Sequence, residues 1–381
     1  MPPTSVAVIG AGLAGAAAAW QLARRGHDVV VLERTEPANH WGSSHGSARI
    51  FRYAYPDPLY TRLVVESRHG WDELERDGGV TLISPAGAID HGDARDPERL
   101  ARVLAAAGVA HELIDVAEAA DRWGGIAFDG PVLWHEAAGV IDAENAVRTM
   151  LRLAEAAGAA VRTGWQAAAV SPRGAGYAVV STTGEVVEAE QVVVSAGGWL
   201  SDLLGGLGLP PERLAAFPAL EVRQEQAFHF PYRDPQDVWP TIIHKTAPIQ
   251  VYALPGGRDA DFRGQKVAEY NGGPVIRSAA WHDREIDVAR RERVIEYVRR
   301  NLPGLVPEPY AETTCLFTNT PDEEFVIDRI DGISILSPCS GHGAKFAPLI
   351  GEYAARLVEG DGTVPDRFRP LSARVSNGAR A

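Results

Sequence analysis

The first thirty-three residues constrain this chain more than any other stretch. Ser5-Val6-Ala7-Val8-Ile9 is a short, mostly β-branched run that reads as a buried strand. It leads straight into Gly10-Ala11-Gly12-Leu13-Ala14-Gly15, and an alanine-rich helix continues to Arg24-Arg25 and stops at Gly26. Asp28-Val29-Val30-Val31-Leu32 is a second strand with Glu33 at its end, 23 positions after Gly10. Gly10 permits the tight turn, Gly12 lets the backbone approach a pyrophosphate, and Gly15 lets the helix pack on the strand. The helix N-terminus adds free N–H donors and a positive dipole end. Strand, glycines, helix, strand and acid in this order specify a dinucleotide site. Glu33, placed to meet a ribose hydroxyl, argues against a 2′-phosphate. The unit alone does not choose between FAD and NAD.

Composition narrows the partners. In 381 residues, 37 Lys and Arg stand against 50 Asp and Glu, a net charge of −13, which disfavours nucleic acid and anionic membranes. Two cysteines, Cys315 and Cys339, exclude a disulfide scaffold and a Cys-only zinc site, and no metal site is expected. No Lys or Arg precedes Arg24, and the apolar stretch Val6 to Trp20 is too short to span a bilayer, so a cytoplasmic protein is expected.

Beyond the opening unit, helices are expected over 58–76, 96–107, 115–123, 144–157 and 281–301. A strand pair is expected at 80–90, with strands at 160–163, 166–170, 177–181 and 186–189. Val192-Val193-Val194-Ser195-Ala196-Gly197-Gly198 reads as a buried parallel strand ending in a small-residue turn. Residues 216–278 read as a mostly antiparallel sheet. Three constellations carry chemistry. Arg49 and Arg52, three apart, share a face if they lie on a helical turn, and form either an anion site or surface ion pairs. Thr313-Thr314-Cys315-Leu316-Phe317-Thr318 holds a cysteine that chemistry alone reads as a packing residue. Ser340-Gly341-His342-Gly343-Ala344-Lys345-Phe346 opens a helix running to about Val358, with His342 read as a turn histidine.

Taken together, the glycine unit, Gly42-Ser43-Ser44-His45-Gly46 with Arg49 and Arg52, the Cys315 stretch and the Gly341–Phe346 motif resemble the monomeric sarcosine oxidase and N-methyltryptophan oxidase family of D-amino-acid-oxidase-like flavoproteins. The likeness runs over nearly the whole chain and is weakest at about 216–300. It implies FAD on Gly10, Gly12 and Gly15, with Glu33 on the ribose and Arg34, Ser44, Gly341 and Gly343 beside the cofactor. Cys315 would bind the flavin covalently, a soft nucleophile whose thiol nearby positive charge would make more acidic. His45 and Arg49 would lie near the flavin ring as cations. Arg52 and Lys345 would clamp a substrate carboxylate, with Lys345 also touching the cofactor, and Lys266 would help O2 react. Tyr252 and Tyr270 would line the substrate side. Phe317 stands where the family has a tyrosine, and Tyr270 where it has a histidine. The segment Pro255 to Gln265 is longer than the family's.

The expected fold is α/β: a Rossmann-type FAD-binding domain (1–80, 144–214 and 315–381) with a second α+β substrate domain on a mostly antiparallel sheet (81–143 and 215–314). The expected activity is FAD-dependent oxidation of a secondary amine or an N-substituted or cyclic amino acid by a monomer, giving an imine and reducing O2 to H2O2. The alternative is an oxidase or dehydrogenase of a cyclic imino acid or larger biosynthetic amino acid using another acceptor.

Overall fold

The computed structural model describes residues 4–361 and 363–373. Residues 1–3, 362 and 374–381 of the expected cofactor segments lie outside them. One sheet is built around Thr4–Ile9, flanked in parallel by Val29–Leu32 on one side and Val186–Val194 on the other. Ala160–Arg162 extends it beyond Val29–Leu32. Ile333–Ser337 extends it past Val186–Val194, with Val326–Ile330 antiparallel at that edge. The strand order reverses at Thr4–Ile9, the place where doubly wound sheets open a crevice beyond their strand ends.

Alternation along the central strands sends Val6, Val8, Val29 and Val31 to one face and Ala7, Ile9, Val30 and Leu32 to the other, and both faces are buried. Helices Leu13–Arg24, Pro58–Gly78, Ala143–Ala156 and Ala347–Glu359 cover the first face. The chain is a mixed α/β protein with a Rossmann-type layer, as expected.

The second large sheet has nine strands. Its central path runs Glu221–Phe230, Gln265–Glu269, Gln250–Pro255, Thr241–Lys245, Ala88–His91, Val132–His135 and Glu112–Ile114. Only Thr241–Lys245 and Ala88–His91 pair in parallel. Helix Val288–Asn301 buries Val294, Ile295 and Val298 against it. A third, small sheet joins Arg49–Phe51, Gly139–Ile141 and Ile83–Pro85.

Several expectations are corrected. Arg49 begins a strand paired to Gly139–Ile141, so Arg49 and Arg52 do not share a helical turn. The pair expected at 80–90 is split between two sheets, because Ile83–Pro85 and Ala88–His91 find different partners. The strands expected at 186–189 and 191–194 are one continuous strand. Its first half pairs antiparallel with Gly176–Ser181 and its second half in parallel with Thr4–Ile9. The helix expected from 281 begins at Val288, where the Asp287 carboxylate accepts the Arg290 N–H at 3.1 Å and fixes the start. Finally, Ala311–Asn319 pairs along its whole length with Glu221–Phe230. Cys315 is therefore carried by the nine-stranded sheet, and a boundary at 315 would cut that strand in two.

A Cβ at Gly15 would collide with the Gly10 carbonyl oxygen, whereas one at Gly205 would meet nothing within 4 Å. Gly15→Ala is expected to lower stability by about 1–3 kcal/mol through overpacking. Gly205→Ala should stay within about 0.5 kcal/mol of the parent in the same denaturation experiment.

Candidate active site

The Gly10 turn sits at the C-terminal end of the first strand with φ +96°, a conformation that favours glycine. A Cβ there would lie 2.6 Å from the Ser195 carbonyl oxygen. Ser195 in turn donates its hydroxyl to the Ile9 carbonyl at 2.8 Å, tying the two strand ends together. Glu33 is buried, and its carboxylate accepts Ala11 N–H at 2.8 Å and Thr35 N–H at 3.0 Å. It therefore holds the glycine loop and keeps further lone pairs for a ribose. Ser44, 31 residues downstream of Leu13, accepts the Leu13 N–H at 3.0 Å and covers the helix N-terminus from outside. Arg34 stacks its guanidinium 4.7 Å from the Trp199 ring centre.

From this turn a single cavity of about 980 Å³ runs into the space between the two large sheets. It is at the top of the range of roughly 300–1,000 Å³ typical of small-molecule sites. Among the expected residues, Gly10, Gly12, Glu33, Arg34, Ser44, Arg49, Arg52, Tyr252, Lys266, Tyr270, Cys315, Gly341, Gly343 and Lys345 all line it. Gly15 and His45 do not. Gly15 serves helix packing, as its clash with Gly10 shows. The glycine turn, the Glu33 carboxylate and the size of the cavity fit a dinucleotide.

The middle of the cavity concentrates charge. Lys266 is buried on Gln265–Glu269, and burial together with Arg49 pushes its ammonium down to about 8. Arg49 donates to the Ala48 and Ser43 carbonyls at 3.0 and 3.2 Å and has no carboxylate partner among the described residues. Burial pushes the Cys315 thiol up, and Arg49 and Lys266 offset only part of that. The expectation of a more acidic thiol is thus corrected: desolvation outweighs the two cations. His45 is also corrected as a cation. Its imidazole is buried, with burial and then Arg49 and Lys266 holding it at about 2, so Arg49 and Lys266 are the positive groups here.

At the far end, Lys345 is buried and donates to the His342 carbonyl at 2.7 Å. Its own carbonyl accepts from Ser67 and Trp71, each at 2.8 Å, so helix Pro58–Gly78 fixes the backbone that carries the ammonium. Burial and then Arg52 push Lys345 well below the usual lysine range. Arg52 donates to the Ala54 carbonyl and lies 4.5 Å from the Tyr55 ring centre. His342, held at about 3 chiefly by burial, is neutral. With its Nε2 facing the Glu323 carbonyl at 3.1 Å, that nitrogen carries the proton, and Nδ1 accepts the Tyr55 hydroxyl at 3.2 Å. Tyr270 packs 5.7 Å from Phe317, whose ring lies under Gly341.

Sequence reasoning missed four residues here. Tyr55 anchors both His342 and Arg52, and its only signal was its place three residues after Arg52. Arg95 lines the cavity with its charge neutralised by Asp90, at Nε to Oδ1 2.6 Å. Lys245 lines it 4.9 Å from the Tyr270 ring centre. Glu225 stands opposite Cys315 across the ladder, a pairing invisible without knowing the register. Outside the cavity, His91, His244 and Asp129 bring possible ligand atoms within 4.8 Å of one another. The two imidazoles stack 4.1 Å apart and within 8° of parallel, so their lone pairs run side by side instead of converging on one ion.

Residues 5–357 match the family model DAO, FAD dependent oxidoreductase. The chain belongs to the DAO family. Within it, the chain is 32% identical to monomeric sarcosine oxidase of Streptomyces avermitilis, with 94% of each chain covered. It is 29% identical to N-methyl-L-tryptophan oxidase of Yersinia pestis, covering 92% of this chain and 94% of that one. Among solved structures, NikD, an unusual amino acid oxidase essential for nikkomycin biosynthesis, superposes with a TM-score of 0.85 at 25% identity, covering 98% of both chains. This DAO-family protein is an FAD-dependent oxidoreductase. Among its described residues, no helix is long and apolar enough to cross a membrane.

Glu225 generates a pH test. It is buried, accepts Gly273 N–H at 3.2 Å, and burial raises its carboxyl from 4.5 to about 7. A raised acid favours the protonated folded state, so this contribution is complete below about 4.5 and lost as pH rises through about 7. Glu225→Gln is expected to match the parent at pH 4.5. At pH 8 it should exceed the parent by up to about 3 kcal/mol in denaturant melts.

Proposed function

We propose that this protein is an FAD-dependent oxidase of N-substituted amino acids, removing a hydride from the carbon next to nitrogen and releasing an imine. The observation that carries the reading is one continuous cavity joining the glycine turn to Arg52 and Lys345, which form no ion pair among the described residues. The names of its Streptomyces and Yersinia relatives, a sarcosine oxidase and an N-methyl-L-tryptophan oxidase, support the substrate class. FAD, when bound, would supply the two-electron acceptor chemistry, with O2 as the final oxidant and H2O2 its product.

The chain's own residues do the rest. Gly10, Gly12 and Ser44 would receive the pyrophosphate at the helix N-terminus, and Glu33 the ribose. Cys315 would hold the cofactor covalently through Sγ. Arg52 and Lys345 repel one another until a carboxylate arrives, and that carboxylate relieves both, which fixes the substrate's orientation. The same positive surroundings disfavour an ammonium, so substrate binds as the free amine with its lone pair available, and no strong side-chain base is required. Tyr252 and Tyr270 wall the substrate. Lys266 and Arg49 supply positive charge where O2 takes on electrons. The reading is of a cytoplasmic monomer.

Mixing the holoenzyme anaerobically with N-methyl amino acids should bleach the flavin, and air should restore it with one H2O2 per turnover. Absence of bleaching by every amine offered would overturn the reading. Lys345→Met should raise the substrate KM by tenfold or more. Acid-precipitated parent protein should stay yellow, whereas Cys315→Ser should release all its colour. A further outcome concerns the oxidative half-reaction alone. Lys266→Met should slow reoxidation and leave the anaerobic reduction rate near the parent's, and in the parent reoxidation should slow as pH rises through about 8, where Lys266 loses its proton.

A further inference from the structure

One cation in the cavity has no part in this scheme. Lys245 is the last residue of Thr241–Lys245 and lines the cavity with its ammonium 4.9 Å from the Tyr270 ring centre. Arg52 and Lys345 hold the neighbouring wall, 4.5 and 5.5 Å from the Tyr55 ring centre. The fields of all three cations reach His342. None of the three forms an ion pair with a carboxylate among the described residues, whereas Arg95 on the same wall is neutralised by Asp90. The carboxylate whose field most raises Lys245 is Glu323, an exposed residue of the cavity lining that reaches Tyr270 but forms no ion pair with Lys245 among the described residues.

Three like charges in one partly desolvated space need counter-charge. A single α-carboxylate satisfies two of them, Arg52 and Lys345, which lie over the same tyrosine. Lys245 lies over the other tyrosine, Tyr270. A neutral substrate side chain there would desolvate its ammonium further and give it nothing in exchange. A second anion would give it a charge-assisted partner and lower the mutual repulsion of all three.

Resting on the oxidase reading above, we propose that Lys245 forms a subsite for a second carboxylate, so that the enzyme's substrates are N-substituted amino dicarboxylates. The second acid group sits either on the amino acid's side chain or on its N-substituent, and the chemistry that Lys245 recognises is the same in both.

The test compares N-methyl-L-aspartate, N-methyl-L-glutamate and iminodiacetate with N-methyl-L-leucine, measuring the Kd for anaerobic flavin reduction in the holoenzyme. At least one dicarboxylate should bind tenfold or more tighter than the neutral compound, and which one does so tells the side-chain position from the N-substituent. Lys245→Met should bring that preference to about one, and Lys245→Arg, which keeps the charge, should retain most of it. In a second readout without chemistry, glutarate should perturb the flavin absorption at tenfold lower concentration than butyrate in the parent but not in Lys245→Met. Equal Kd values for neutral and dianionic substrates in the parent would overturn the subsite and leave the oxidase reading intact. So would a Lys245→Met variant that weakens both alike. If no amine bleaches the flavin, the oxidase reading falls, and the glutarate comparison still decides the subsite.

Discussion

The contact on which the structure depends is the approach of the first helix to the strand before it. Gly15 lies so close to the Gly10 carbonyl that any side chain would push them apart. That closeness aims the helix N-terminus at the cavity, lets Ser44 reach the Leu13 N–H and brings Glu33 onto the Ala11 N–H. Ser195 then ties the end of Val186–Val194 to the same turn. Four separate stretches of chain thus meet at one point, and the cavity begins there.

Beyond that point the architecture is a problem in charge. A chain with net charge −13 gathers Arg49, Lys266, Arg52, Lys345 and Lys245 around one cavity. For Arg49, Arg52 and Lys345 the fold tolerates this because backbone carbonyls, those of Ala48, Ser43, Ala54 and His342, take the N–H donors. Carbonyls satisfy hydrogen bonds without cancelling charge, so the cations stay available to an anionic cofactor and to carboxylates. Asp90 on Arg95 shows the contrary arrangement in the same wall, where an ion pair makes a guanidinium a fixed structural strut.

What the sequence made legible follows from the range of the interactions involved. The opening unit was readable because its period, glycines and acid are local, and the structure has Thr4–Ile9, Leu13–Arg24 and Val29–Leu32 where they were expected. Helices were readable over their periodic stretches, as at 96–107 and 144–157, whereas the start at Asp287, capped just as locally, was not. Pairing was not readable. The spacing of Arg49 and Arg52 suits a helical turn, but Gly139–Ile141 lies alongside and makes a strand of it. Cys315 faces Glu225 through a register that only the folded sheet sets. Of the residues expected from family motifs, all but Gly15 and His45 line the cavity. Tyr55, Arg95 and Lys245 line it as well but carry no motif, and only the folded chain brings them to the cavity wall. Desolvation was hidden for the same reason, which is why His45 and Cys315 titrate in the direction opposite to that expected.

The divided strand Val186–Val194 has a consequence for how this scaffold can change. Its second half is locked between Thr4–Ile9 and Ile333–Ser337, whereas its first half pairs with the hairpin Ala167–Arg173 and Gly176–Ser181. The hairpin's tip at Gly174 has φ +61°, with nothing within 4 Å of where a side chain would begin. That tip lies at the Tyr177 end of the ladder, beside Ala189, where the two halves of the strand meet. An insertion at Gly174 adds no residue to the stretch from Ala189 to Val194, whose pairing with Thr4–Ile9 sets the glycine turn, so the tip is the place in this sheet to graft a tag or a probe.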